Sequence, residues 1–161
     1  MSADSGGDRS IGMAPPDVLK THSGLEFLKA IIDGTLPPPP IGATLGFRLV
    51  EAERGFAAFE GDPQRRHYNP IGTVHAGFAA TLLDSCMACC LQTMVDKGFG
   101  YTTLELKVNL VRPITDATGR VRAEGRVLHC GRRTGTSEGR LTDAQGRLLA
   151  HGTTTCLIFP L

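Results

Sequence analysis

Neither sign of charge is in excess in this chain: 17 basic residues stand against 16 acidic ones, for a net charge of +1. That removes the electrostatic case for nucleic acid or an anionic membrane as a partner. A long unbroken apolar run is missing as well. The best candidate lies between His75 and Val95, where Asp84 interrupts a stretch rich in small residues; a membrane span needs ~20 mostly apolar residues without a central charge. The opening "MSADSGGDRSIGMAPP" contains no apolar h-region, so no signal peptide is expected. The five cysteines do not make a disulfide framework, since their count is odd and Cys86, Cys89 and Cys90 crowd one apolar segment. They read as reduced core thiols of a cytoplasmic protein. Cys86 and Cys89 have C-x-x-C spacing, but no second ligand pair accompanies them, so no metal is expected.

What is present is a chain of 161 residues, 41% hydrophobic and 20% charged, which suits one soluble domain. Residues 1–22, rich in Gly, Ser and Asp, are expected to be disordered, leaving 23–161 as the domain. "SGLEFLKAIIDG" predicts a helix with Ser23 as N-cap, Glu26 completing a capping box and Gly34 closing the end. "TLPPPP" reads as an extended connector. A hairpin follows, with strands near Leu45–Glu51 and Phe56–Gly61 and a turn near Glu53–Gly55. Residues 76–95 make the one long helix candidate. Four strand-like segments close the chain: Tyr101–Arg112, Arg120–Cys130, Thr134–Thr142 and Arg147–Phe159. In the first of these, Leu104, Leu106, Val108 and Leu110 alternate with Thr103, Glu105, Lys107 and Asn109, the period-2 pattern of a half-buried strand. The short turns among the four predict an antiparallel meander. A helix apolar on nearly all sides must be wrapped rather than covered. A curved antiparallel sheet around one central helix, the α+β hotdog architecture, meets that requirement.

Asp84 is then the anomaly. An unpaired buried carboxylate costs several kcal/mol, and its neighbours at i±3 and i±4 are Ala80, Thr81, Met87 and Ala88, none of them basic. A carboxylate held out of water suits general-base or nucleophilic work. His75 is the obvious partner by chemistry but not by geometry. Nine residues apart on one helix, the two lie roughly 180° apart around the axis and ~13 Å apart along it. If both serve one site, different copies of the chain must supply them. The helix start, "GTVHAG", offers the backbone N–H groups of Ala76 and Gly77, which lack intrahelical partners and sit at the positive end of the dipole. They suit an oxyanion or a polarised carbonyl.

"NPIGTVHAGFAATLLD" resembles the signature of the PaaI-like acyl-CoA thioesterases of the hotdog superfamily: Asn-x-x-Gly-x-x-His-Gly-Gly, then Asp or Glu on the central helix. Asn69, Gly72, His75, Gly77 and Asp84 match it; Ala76 replaces the first Gly of the pair. An Ala in a right-handed first turn keeps its N–H and adds only a methyl. "TTLELKVNLVRP" and "GRRTGTSEGRLTDAQGRLLAHGTTT" resemble the strands that follow, so the likeness covers about residues 24–158. It implies hydrolysis of an acyl-CoA to free acid and CoA. Asp84 would be general base or nucleophile, the Ala76 and Gly77 amides the oxyanion site, Asn69 a positioner of water or carboxylate, and His75 an orienter of the thioester end. Thr103, or its neighbour Thr102, would hold the water. Arg132 and Arg133, or alternatively Arg65 and Arg66, are candidates for the CoA phosphates. Phe78, Met87, Tyr101 and Phe47 are expected to shape the acyl pocket. No cofactor is implied, CoA being part of the substrate. A homodimer or homotetramer with shared sites is implied. The competing readings are a hotdog protein that binds acyl-CoA without hydrolysis, and a hotdog dehydratase acting on a 3-hydroxyacyl thioester.

Overall fold

The computed structural model describes residues 10–161. The expected unstructured leader divides: residues 1–9 lie outside the described residues, while Val18–Thr21 forms a single helical turn, α1. Backbone bonds tie this part to the body, from Gly12 N–H to Pro38 O (3.1 Å) and from Gly98 N–H to Leu19 O (2.8 Å). Helix α2, Gly24–Asp33, carries the capping box between Ser23 and Glu26 and ends at Gly34 in the left-handed region, φ 87°. Only the absence of a Cβ makes that φ inexpensive.

The proline run holds a helix that pattern reading misses. Pro40–Leu45 is α3, ended by Gly46 at φ 70°. Pro40 stands at the first helical position, where its fixed φ is already helical and its missing N–H has no partner to lose. The extended connector therefore stops at Pro39, and the first strand starts later than expected.

Six strands follow: β1 Phe47–Glu53, β2 Phe56–Gly61, β3 Phe99–Leu110, β4 Val121–Cys130, β5 Thr134–Asp143 and β6 Leu148–Pro160. They form one sheet in the order β1-β2-β4-β5-β6-β3, with every pair antiparallel. The meander expected of the last four strands is corrected here. β4, β5 and β6 follow one another, but β3 sits beyond β6, and β4 pairs with β2. The segment between β3 and β4 must cross three strand spacings, ~14 Å, which its ten residues reach easily. The long helix α4, Ala76–Gln92, precedes β3 and lies against the sheet. This is the hotdog architecture.

The close approach of α4 has an identifiable cause. Gly125, Gly139 and Gly152 stand opposite one another across β4, β5 and β6. A Cβ at Gly125 would lie 2.1 Å from the Cys86 carbonyl oxygen, and one at Gly139 would lie 2.6 Å from Met87 Cγ. The glycine row is thus a trough for the helix backbone. Ser137 Oγ donates to Met87 O at 2.8 Å beside it. Leu82, Leu83, Met87 and Leu91 are fully buried, each worth ~1.5–3 kcal/mol of apolar burial. All five cysteines are free thiols. Burial pushes the Cys86 thiol well above its ordinary pKa and Cys89 up to about 12, so the C-x-x-C pair lacks the thiolate character of a redox pair.

Candidate active site

The glycine trough covers one side of α4 and leaves the other to the strip beside β3. Gly77, Thr81, Asp84 and Ser85 are half-buried there, while Leu82, Leu83, Cys86 and Met87 are enclosed. Asp84 therefore does not break the core; it lies on the flank of the helix that the sheet does not enclose.

Its partner is Thr103, whose Oγ1 donates to Asp84 Oδ1 at 3.0 Å. Strict alternation would put Thr103 on the outer face with Glu105 and Lys107. A register shift between Thr103 and Glu105 inserts Leu104 as an extra residue. Thr103 is paired with Cys156, and Leu106, Val108 and Leu110 with Thr154, Gly152 and Ala150. Those four residues of β6 are all buried, so Thr103 and the apolar residues after the bulge share the inner face. Thr154 Oγ1 donates to Glu105 O at 2.7 Å across the bulge. The bulge re-aims one hydroxyl at the helix carboxylate. Leu104 is left 58% exposed, and Leu106 and Leu110, at the open sheet edge, 37% and 47%.

The helix start forms a second group. His75 is the N-cap; its Nδ1 accepts from Gly77 N–H at 2.9 Å, which places the ring hydrogen of the neutral imidazole on Nε2. Of the two amides expected to serve an oxyanion, Gly77 N–H is thus occupied by the ring in this arrangement. Ala76 is exposed, and its N–H has no partner among the described residues. Asn69 organises the loop into the helix: its Oδ1 accepts from Ile71 N–H and Thr73 N–H, both at 3.1 Å, and its Nδ2 donates to Thr73 Oγ1 at 2.9 Å. His75 N–H is held by His67 O at 2.7 Å and Val74 N–H by Ile114 O at 2.8 Å. The structure therefore brings Asp84 together with Thr103, and Asn69, His75, Ala76 and Gly77 into a separate cluster. Neither Asn69 nor His75 hydrogen-bonds Asp84.

Arg132 and Arg133 are exposed in the β4–β5 turn. Gly135, just past that turn, packs on Leu91, so the pair sits toward the C-terminal end of α4. Arg65 and Arg66 lie near the helix start instead, in a 3-10 turn that ends at His67; Arg65 Nε donates to Asp116 Oδ2 at 3.1 Å. Buried His67 was not legible from the sequence. It stacks on Phe78, with 4.7 Å between ring centroids, and burial, helped by the Arg66 charge, pushes its pKa down. No local pattern marks such a loop histidine.

The described residues enclose a cavity of about 800 Å³ lined by Phe27, Phe47, Leu49, Cys89 and Tyr101, among others. Tyr101 and Phe47 line this cavity, while Phe78 and Met87 are buried in the core around α4. Tyr101 Oη lies 3.9 Å from Cys89 Sγ, and burial pushes the phenol well above its ordinary pKa. No helix among the described residues is long and apolar enough to cross a membrane.

Comparisons with known proteins place the fold in a family. A family model described as the thioesterase superfamily matches residues 71–150. The proofreading thioesterase EntH of Klebsiella pneumoniae is 30% identical over 105 residues, 65% of this chain and 75% of that protein. A phenylacetic acid degradation-related protein from Ralstonia eutropha superposes with a TM-score of 0.74 at 26% identity, over 81% of this chain and 98% of that one. The phenylacetic acid degradation protein PaaI from Thermus thermophilus gives 0.66 at 28% identity, over 73% and 97%.

Proposed function

This chain belongs to the thioesterase superfamily, among its PaaI-like hotdog members, and we propose that it hydrolyses an acyl-CoA to free acid and CoA using Asp84. The observation that carries the reading is the carboxylate itself: half-buried at mid-helix, with Oδ1 held by Thr103 and Oδ2 left for chemistry. As general base, Oδ2 takes a proton from water while the oxygen attacks the thioester carbon. As nucleophile, it attacks that carbon directly and water later cleaves the mixed anhydride. Either way the C–S bond breaks as the tetrahedral intermediate collapses, and the CoA sulfur leaves as the thiol after receiving a proton. The developing oxyanion needs N–H donors in place beforehand, and the helix-start amides of Ala76 and Gly77 supply them, Gly77 once the His75 ring turns aside.

Those amides come from a second copy. On one helix the Ala76 and Gly77 amides lie ~10–12 Å from Asp84 along the axis, too far for one thioester carbonyl to meet both. The edge of β3 next to Asp84 is unpaired and carries the exposed Leu104, Leu106 and Leu110. An apolar strand edge of this kind is an invitation to pair, and a two-fold dimer through it buries the leucines and faces each Asp84 with a neighbour's helix start. Such dimers pair further into a homotetramer. The test is thiol release from a panel of acyl-CoAs, including phenylacetyl-CoA, by the wild type and Asp84→Asn. A fall in kcat of about 100-fold or more in the folded variant is expected. Near-normal turnover removes Asp84 from the chemistry, and tight binding without thiol release by the wild type returns the chain to the carrier reading.

A further inference from the structure

The cavity has a wall that the fold does not require. Its inner surface belongs to the hotdog body: Phe47 and Leu49 on β1, Cys89 on α4, Tyr101 on β3. Its outer surface is made by the N-terminal part of the chain: Met13, Phe27 and Ile31, and Ala43 on α3. α2 is clamped over the end of α4, since Gly24 N–H donates to Val95 O at 2.9 Å and a Cβ on Gly24 would collide with Gln92 O at 1.8 Å. The strand after α3 is anchored in the sheet, and Gly12 is tied to Pro38.

Two of the cavity's lining residues, Cys89 and Tyr101, lie on the elements that carry Asp84 and Thr103. Tyr101 precedes Thr103 by two residues on the same face of β3, a step of ~7 Å, and Thr103 holds Asp84. Cys89 follows Asp84 by five residues, ~7.5 Å along α4. The cavity wall thus comes within roughly 7–8 Å of the Asp84–Thr103 pair along each element, on the side away from the helix start, and neither of those two residues lines it. At about 800 Å³ the cavity lies within the ~300–1,000 Å³ typical of small-molecule pockets.

We infer that this cavity receives the acyl group, that it favours apolar acyl chains well beyond acetyl, and that the N-terminal segment with α2 and α3 sets their maximum length. The inference rests on the thioesterase reading for its catalytic readout but not for its binding readout. Ala43 and Phe27 touch the cavity and take no part in the Asp84 or helix-start chemistry. Ala43→Trp fills the space, and Phe27→Ala enlarges it.

The experiment measures kcat/KM for straight-chain acyl-CoAs from acetyl to dodecanoyl, with calorimetric binding of decanoate to the full-length protein alongside. The wild type is expected to improve with chain length. Ala43→Trp should lower decanoyl-CoA turnover by about tenfold or more while acetyl-CoA stays within about twofold, and Phe27→Ala should shift the optimum to longer chains. If Ala43→Trp fails to fold, the Phe27→Ala shift decides alone. Uniform changes across the panel, or none, overturn the inference and leave the thioesterase reading intact. If the wild type hydrolyses nothing, that reading fails. The cavity assignment then stands on decanoate binding that Ala43→Trp abolishes, and it falls if decanoate does not bind or if Ala43→Trp leaves binding unchanged.

Discussion

Thr103→Val removes one oxygen and leaves the shape of the side chain. Valine suits a strand as well as threonine does, so the change isolates the 3.0 Å bond from Thr103 Oγ1 to Asp84 Oδ1. Among the described residues the only other side-chain contact of that hydroxyl is Cys156 Sγ at 3.9 Å, too long to matter greatly. A hydrogen bond to a charged group contributes ~1.5–3 kcal/mol; Asp84 is half-buried, so partial rehydration reduces this to ~1–2 kcal/mol. If the bond holds the carboxylate in its reactive orientation, that loss falls on the transition state and lowers kcat by roughly 5–30-fold, with KM within about twofold. Thr103→Ser keeps the donor and should stay within about threefold of wild type, because it loses only a methyl. Steady-state thiol release on one saturating acyl-CoA, with melting curves as the folding control, measures both. Wild-type kcat in Thr103→Val, or equal losses in the Val and Ser variants, would refute the claim that the bulge exists to aim this hydroxyl.

Gly125→Ala should lower the melting temperature by several degrees, because overpacking against a helix backbone costs ~1–3 kcal/mol and each kcal/mol is ~2–4 °C at this size; the Cβ would meet Cys86 O at 2.1 Å, and an unchanged melting point would mean the helix does not ride on the glycine row. Mixing inactive Asp84→Asn with inactive Asn69→Ala and allowing subunit exchange should restore no more than half the wild-type rate per dimer. Each heterodimer then has one site with both lesions and one with neither, whereas no recovery despite proven heterodimers places the whole site in one chain. For Asp143, burial alone would push the carboxyl up, but N–H donors of Arg147 and Gln145 and the Arg147 charge outweigh it and hold the pKa below the ordinary value. A depressed carboxyl stabilises the fold above its unfolded pKa, ~3.9, and that stability is lost as pH falls through the folded value. Asp143→Asn should be less stable than wild type at pH 7, with the gap closing below about pH 4; a gap independent of pH would show that charge plays no part.

Local rules made some of this protein readable before any contact was known. Ser23, Glu26 and Gly34 bound α2 by chemistry that acts within four residues of chain. The turn that ends at Gly55, φ 79°, marks the β1–β2 hairpin. The apolar content of 76–92 demands enclosure whatever encloses it. Tertiary structure decided what depends on residues far apart in sequence. A bulge leaves no trace in an alternating pattern, because one inserted residue changes parity without changing composition; so Thr103 reads as an outer-face residue until β6 shows which side it takes. The place of β3 beyond β6 is likewise a choice among edges, made by sheet closure over α4 rather than by turn length. Asp84 looked like a charge in a core because a linear run of apolar neighbours does not reveal which flank of a helix the sheet leaves open. The glycine row that defines that flank is spread over three strands, and only their register brings it together.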